Sequence, residues 1–267
     1  MMKKIIVLIN GISAPWHIIT FSLNIAKQNN AEVYALFIKN ERRNFPYPSD
    51  MESTETNLSG EKEKVENEDL EEKNIEVFKS LCNDEKVKCH FEKDISLKQL
   101  VDASSGADII VADSHDDFQR YSIKDILAEV KCPVCLISVN ATEIKKTILL
   151  YDGSEDALYA ITAYSRLFPK LCEEKSYLLT INPKEKVKMA DRKAIMRKLE
   201  KKFSNLEMVS LSGNLSNKLI EFLDEHTENT IVVMGAYGRS AISRLFNPSL
   251  SNVVLEQTRT SLFIAHN

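Results

Sequence analysis

Three stretches of this sequence occur twice, and that repetition constrains the fold more than any other feature. Ile5-Ile-Val-Leu-Ile-Asn10-Gly11-Ile-Ser13 returns 142 residues later as Thr147-Ile-Leu-Leu-Tyr-Asp152-Gly153-Ser-Glu155. Ala107–Ala112 returns as Asn229–Met234, at an offset of 122, and Cys132–Ile137 as Thr260–Ala265, at an offset of 128. The first copy therefore carries twenty more residues before its fourth apolar run and six fewer after it. The chain reads as a duplication, with one domain over 1–141 and a second over 142–267.

Each copy alternates short β-branched runs with helical periodicity, which reads as β-α-β-α-β-α-β-α-β. In the first, the runs are Lys3–Ile9, Glu32–Ile38, Val87–Phe91, Ile109–Ala112 and Val134–Val139. Pro15 opens a helix to Asn29 with Trp16, Ile19, Leu23 and Ala26 on one face. Asn40–Gly60 reads as a loop. The helix after it, Glu61–Cys82, starts almost wholly charged and gains an apolar face at Val65, Leu70, Val77 and Leu81. Ser96 is placed to cap the next helix. In the second copy the runs are Lys146–Tyr151, Ser176–Ile181, Leu206–Leu211, Ile231–Met234 and Ser261–Ala265, with Ser154 as a helix cap. This order predicts an α/β fold of two tandem Rossmann-like domains, each an open five-stranded parallel sheet with helices on both faces.

Composition narrows the function classes. The chain is 43% hydrophobic and 28% charged, as soluble domains are. No apolar run approaches the ~18 residues of a membrane span, and the run at Ile5–Ile9 is too short for a signal core. The expectation is a cytoplasmic protein. Net charge is −4, split as −7 over residues 1–142 and +3 beyond, which argues against nucleic acid as a partner. The five cysteines, Cys82, Cys89, Cys132, Cys135 and Cys172, have no disulfide-framework spacing. Cys132-Pro-Val-Cys135 lacks a second ligand pair and reads as two small apolar residues on a strand.

One stretch carries a ligand signature. Ile231–Met234 runs into Gly235-Ala-Tyr-Gly238-Arg239-Ser240 and on to Asn247-Pro248-Ser249 before a helix-periodic Leu250–Leu255. A strand, a glycine turn and a helix start bring backbone N–H groups around an anion. The competing reading is an ordinary connection whose glycines serve only the turn. In a parallel α/β sheet, ligands sit at the carboxyl ends of the strands, so this loop faces the same crevice as Asp152.

These residues resemble the universal stress protein family, and the whole chain resembles a tandem member of it. The resemblance rests on Ile148–Ser154, Val232–Gly235, Gly238-Arg239-Ser240, Ser243-Arg244-Leu245, Ser249 and Val253-Val-Leu255. Nucleotide-binding members carry G-x2-G-x9-G-[ST]. Here the pattern is Gly235-x2-Gly238-x9-Pro248-Ser249, so three of four fixed positions agree. The resemblance implies a stress-response protein that binds ATP, with Mg²⁺, through Asp152, Ile181, Met234, Gly235, Gly238, Ser249 and Leu250. Asp152 and Ile181 would hold the adenosine, and the loop from Gly235 with the helix at Ser249 the phosphates.

Two departures weigh against that site. Pro248 lacks the N–H that a glycine would donate, a loss of about 1.5–3 kcal/mol, or roughly tenfold to hundredfold in affinity. Tyr151 brings bulk beside Asp152. In the first copy Asn10 replaces the aspartate and Asp113-Ser114-His115-Asp116-Asp117 replaces the glycine segment, so a carboxylate stands where phosphate would sit. That segment reads as a solvated loop and not as a metal site. The five histidines are scattered, no residue is assigned to catalysis, and a slow ATPase is supported by fold analogy alone. The alternative reading is a nucleotide-free scaffold in which the two halves form an intramolecular pseudo-dimer through their last strands and pair with a second copy as a homodimer.

Overall fold

Among the described residues, ten strands join in a single sheet. The computed structural model describes residues 2–10, 16–38, 55–114, 123–139, 141, 143–180, 195–211, 215–235 and 260–266, with the backbone alone over 55–68 and 215–216. The first half contains β1 (Lys4–Ile9), α1 (Trp16–Asn29), β2 (Glu32–Ile38), α2 (Glu55–Asp84), β3 (Cys89–Ile95), α3 (Leu97–Ser104), β4 (Ile109–Asp113), α4 (Ile123–Glu129) and β5 (Val134–Ile137). The second contains β6 (Lys146–Tyr151), α5 (Glu155–Leu167), a 3₁₀ turn (Leu171–Glu173) and β7 (Lys175–Thr180). These are followed by α6, described over 195–199, then β8 (Asn205–Ser210), α7 (Leu215–Asp224), β9 (Thr230–Gly235) and β10 (Ser261–Ala265).

The sheet order is β3-β2-β1-β4-β5-β10-β9-β6-β7-β8. Each half supplies five parallel strands, doubly wound, as the alternation of elements requires. The two sets meet where β10 runs antiparallel to β5, with Phe263 opposite Cys135. The buried Ser261 hydroxyl accepts the Ser138 N–H at 3.1 Å and ties that seam.

Strand alternation splits the core into two layers. Ile5, Val7 and Ile9 lie in the layer that holds α1, α2, α5 and α6, while Ile6 and Leu8 lie in the layer that holds α3, α4 and α7. Cys132 and Cys135, three residues apart, accordingly lie in opposite layers, where their sulfurs cannot share a metal. Burial pushes the Cys132 thiol up to about 12 and the Cys135 thiol higher still.

Local signals hold where side chains decide. Ser96 and Gln99 form a reciprocal capping box on α3, and the Ser154 hydroxyl accepts the Ala157 N–H on α5. Three expectations are corrected. α2 begins at Glu55, not Glu61, and runs through Gly60, whose cost of about 1 kcal/mol in a helix interior does not end it. Its buried stripe is Ile75, Phe78 and Cys82, while Leu70 is exposed and Val77 and Leu81 are only half-buried. Trp16 stands at the open end of α1 and is 48% exposed, off the face assigned to it.

Candidate functional site

The candidate crevice lies past the carboxyl ends of β6, β7 and β9. β6 ends at Tyr151, and Asp152 follows. Gly153 takes a φ of 91°, in the region that favours glycine, which turns the chain into Ser154 and α5. One carboxylate oxygen of Asp152, Oδ1, accepts the Ser154 N–H at 2.9 Å. The other, Oδ2, is buried and has no hydrogen-bond partner among the described residues. A buried carboxylate oxygen with an open lone pair suits a donor such as a ribose hydroxyl or an adenine amino group.

The N-terminus of α5 is already provided for. Ser154 caps it and Glu155 and Asp156 occupy its first turn, so its dipole is answered by protein carboxylates.

Gly235 is the last residue of β9 and not, as the local pattern suggests, part of the turn. A Cβ built there would lie 2.5 Å from the Asp156 carbonyl carbon and 2.6 Å from the Ala157 nitrogen. This glycine is therefore required for α5 to lie close against β9, whatever else the crevice does. Met234 is buried with Leu150 and Leu179 in the layer away from α5, so only its backbone is available to the crevice. Tyr151 also turns inward, packing in the α5 layer instead of crowding Asp152. At the end of β7 the Thr180 hydroxyl meets Ser210 Oγ at 3.0 Å and joins β7 to β8.

The structure thus brings Asp152, Met234 and Gly235 to one end of the sheet. Ile181, Gly238, Ser249 and Leu250, together with Pro248, lie outside the described residues.

In the first half Asp113 ends β4 at the position of Gly235. Its carboxylate lies 3.1 Å from His17 Nε2 on α1, with the two side chains 17% and 15% exposed. The contact is one of proximity and not a hydrogen bond, since His17 Nε2 is buried and has no hydrogen-bond partner among the described residues. His17 was among the scattered histidines of the sequence. Nothing in the local pattern joined it to a residue 96 positions away, and only the β1-α1-β4 packing does so. His115, Asp116 and Asp117 lie outside the described residues. Among the described residues no group of three His, Cys, Asp or Glu is placed to hold a metal ion, and no helix is long and apolar enough to cross a membrane.

No protein-family model and no curated protein matches this chain. Solved structures do. The chain is similar to a universal stress protein from Archaeoglobus fulgidus DSM 4304, with a TM-score of 0.64, 15% identity and 98% of each chain covered. It is also similar to a functionally unknown protein from Pseudomonas aeruginosa PAO1, with a TM-score of 0.61, 12% identity, 99% of this chain and 92% of the other. Likeness over nearly the full length of both chains, with the same doubly wound order in each half, gives this chain the fold of the universal stress proteins.

Proposed function

We propose that this chain is a stress-response protein of the universal stress protein family that binds an adenine nucleotide, ATP with its Mg²⁺, in a domain spanning 142–267. The observation that carries the reading is the Asp152 carboxylate, oriented by the Ser154 N–H, with a buried oxygen left open at the strand ends. Asp152 would take the donor groups of the nucleoside, and the segment after Gly235 the phosphates. In this reading the protein acts by binding and not by catalysis, and it works in the cytoplasm. The domain over 1–141 binds no nucleotide, since the Asp113 carboxylate and His17 occupy the equivalent corner. It serves as the other half of an intramolecular pseudo-dimer seamed along β5 and β10.

Calorimetric titration with ATP-Mg tests the reading. Saturable heat with one nucleotide per chain is expected. Asp152→Asn keeps the oxygen that accepts from Ser154 and removes the charge, so affinity should fall about tenfold to hundredfold. Silence at millimolar ATP would leave the nucleotide-free scaffold, whose homodimerisation sedimentation analysis would measure.

A further inference from the structure

Cys82 closes the buried stripe of α2, Cys89 opens β3, and their sulfurs are joined in a disulfide across a separation of seven residues. The spacing of all five cysteines carries no framework pattern. This bond is a single local one.

The corner it spans is already held by the backbone. The Glu85 N–H donates to Leu81 O, the Lys86 N–H to Asn83 O and the Val87 N–H to Cys82 O, all between 3.0 and 3.1 Å. A loop this short removes less chain entropy when it is cross-linked than a long one does.

The second half builds the same corner without sulfur. Cys89 stands opposite Val33, the residue before Tyr34, and Leu206 stands opposite Ser176, the residue before Tyr177. Leu199 precedes Leu206 by the same seven residues that separate Cys82 from Cys89. Leu199 is buried and Leu206 packs on the same core. Apolar volume is thus enough to fold this corner, and the sulfur pair adds chemistry that the fold does not need.

The two sulfurs are also unlike the other three. Cys132, Cys135 and Cys172 are buried free thiols. Cys89 is half-buried on an outermost strand of the sheet and is followed by the exposed Phe91, Glu92 and Lys93, whereas Cys82 is only 4% exposed. An outside thiol therefore meets Cys89 first.

We propose that Cys82 and Cys89 form a reversible thiol–disulfide exchange site whose co-reactants are low-molecular-weight thiols and disulfides. In the reducing direction a small thiolate attacks Cys89 Sγ. The protein S–S bond breaks, and its electron pair leaves on Cys82 Sγ, which takes up a proton. A second small thiolate then attacks the small-molecule sulfur of the mixed disulfide. This releases the Cys89 thiolate, which is protonated, together with one small disulfide. Two electrons and two protons pass from two small thiols to the protein, and oxidation is the reverse with the small disulfide as oxidant. The site needs no nucleotide, so it stands or falls apart from the reading of the crevice.

The test equilibrates the full chain in glutathione buffers from fully reduced to fully oxidised, quenches with acid, and labels free thiols under denaturing conditions for peptide mass mapping. The expected result is one two-electron transition in which only Cys82 and Cys89 change from labelled to unlabelled. Circular dichroism should be the same at both ends. Cys82→Ala/Cys89→Ala should abolish the transition and leave three labelled cysteines throughout. A bond that persists in excess reduced glutathione, one that never forms in oxidised glutathione, or loss of helix on reduction would each overturn the proposal.

Discussion

Asp152, which follows β6, and Asp113, which ends β4, are carboxylates at different strand ends of the two halves, and their surroundings set them apart. Asp152 is oriented by a backbone N–H and keeps one oxygen open, whereas Asp113 is placed against His17. The first arrangement leaves an acceptor open, and the second sets a carboxylate beside an imidazole. A third carboxylate is wholly structural. Glu32 accepts from Lys88, from the Tyr34 hydroxyl and from His90, and the Lys88 bond above all holds its pKa down, from 4.5 to about 2. Because the folded value lies below the unfolded one, this stabilisation is fully present above about pH 4.5 and is lost as pH falls toward 2. Glu32→Gln should therefore melt below the parent protein at pH 7 and converge with it near pH 2. Melting curves across that range would check this, and a constant gap would refute it.

At the scale of elements, the contact between β9 and α5 governs the geometry of the crevice. Gly235 lets the helix backbone approach the strand more closely than any side chain would permit. Gly235→Ala should cost about 1–3 kcal/mol in urea unfolding, since the backbone of Asp156 and Ala157 must move to admit a Cβ. A wild-type midpoint would show that α5 is free to shift. Any nucleotide affinity measured in that variant reports the packing of α5 as well as the site. α5 is anchored further along by Tyr164, whose hydroxyl lies 2.9 Å from Thr147 Oγ1 on β6 and whose ring meets Phe168 and Phe263 at 5.3 Å. The edge strands differ from this interior. β3 carries a register shift near its end, with Asp94 at a φ of 56°, an irregularity that interrupts edge-to-edge pairing.

For the whole molecule, the seam between β5 and β10 makes the two halves share both core layers. Each layer contains residues from both halves, so destabilising one half should be felt in the other. Trp16, the single tryptophan, reports on the first half, and Phe263 lies at the seam in the second. Phe263→Ala removes a fully buried ring and should cost about 3–5 kcal/mol. The guanidinium midpoint followed by Trp16 fluorescence should move by the same amount as that followed by circular dichroism. An unmoved Trp16 transition would mean that the halves unfold independently.

Repetition gave the parallel α/β class, and alternating periodicity and capping residues, which depend on neighbours within a few residues, placed most strands. β3, expected at Val87–Phe91, instead runs over Cys89–Ile95, and β5, expected to Val139, ends at Ile137. Lys146–Tyr151 and Ser261–Ala265 begin and end where their apolar runs do, and Ser96 and Ser154 cap the helices they precede. The same local pattern could mark Asp152 and Gly235 but could not separate their roles. Whether a glycine serves a ligand or a packed helix depends on what lies opposite it, and here that is Asp156, 79 residues earlier. The pairing of His17 with Asp113 and the bond between Cys82 and Cys89 were likewise decided by tertiary structure. They depend on which strand ends and helix ends the sheet order brings together, and distance in space is not written in local sequence.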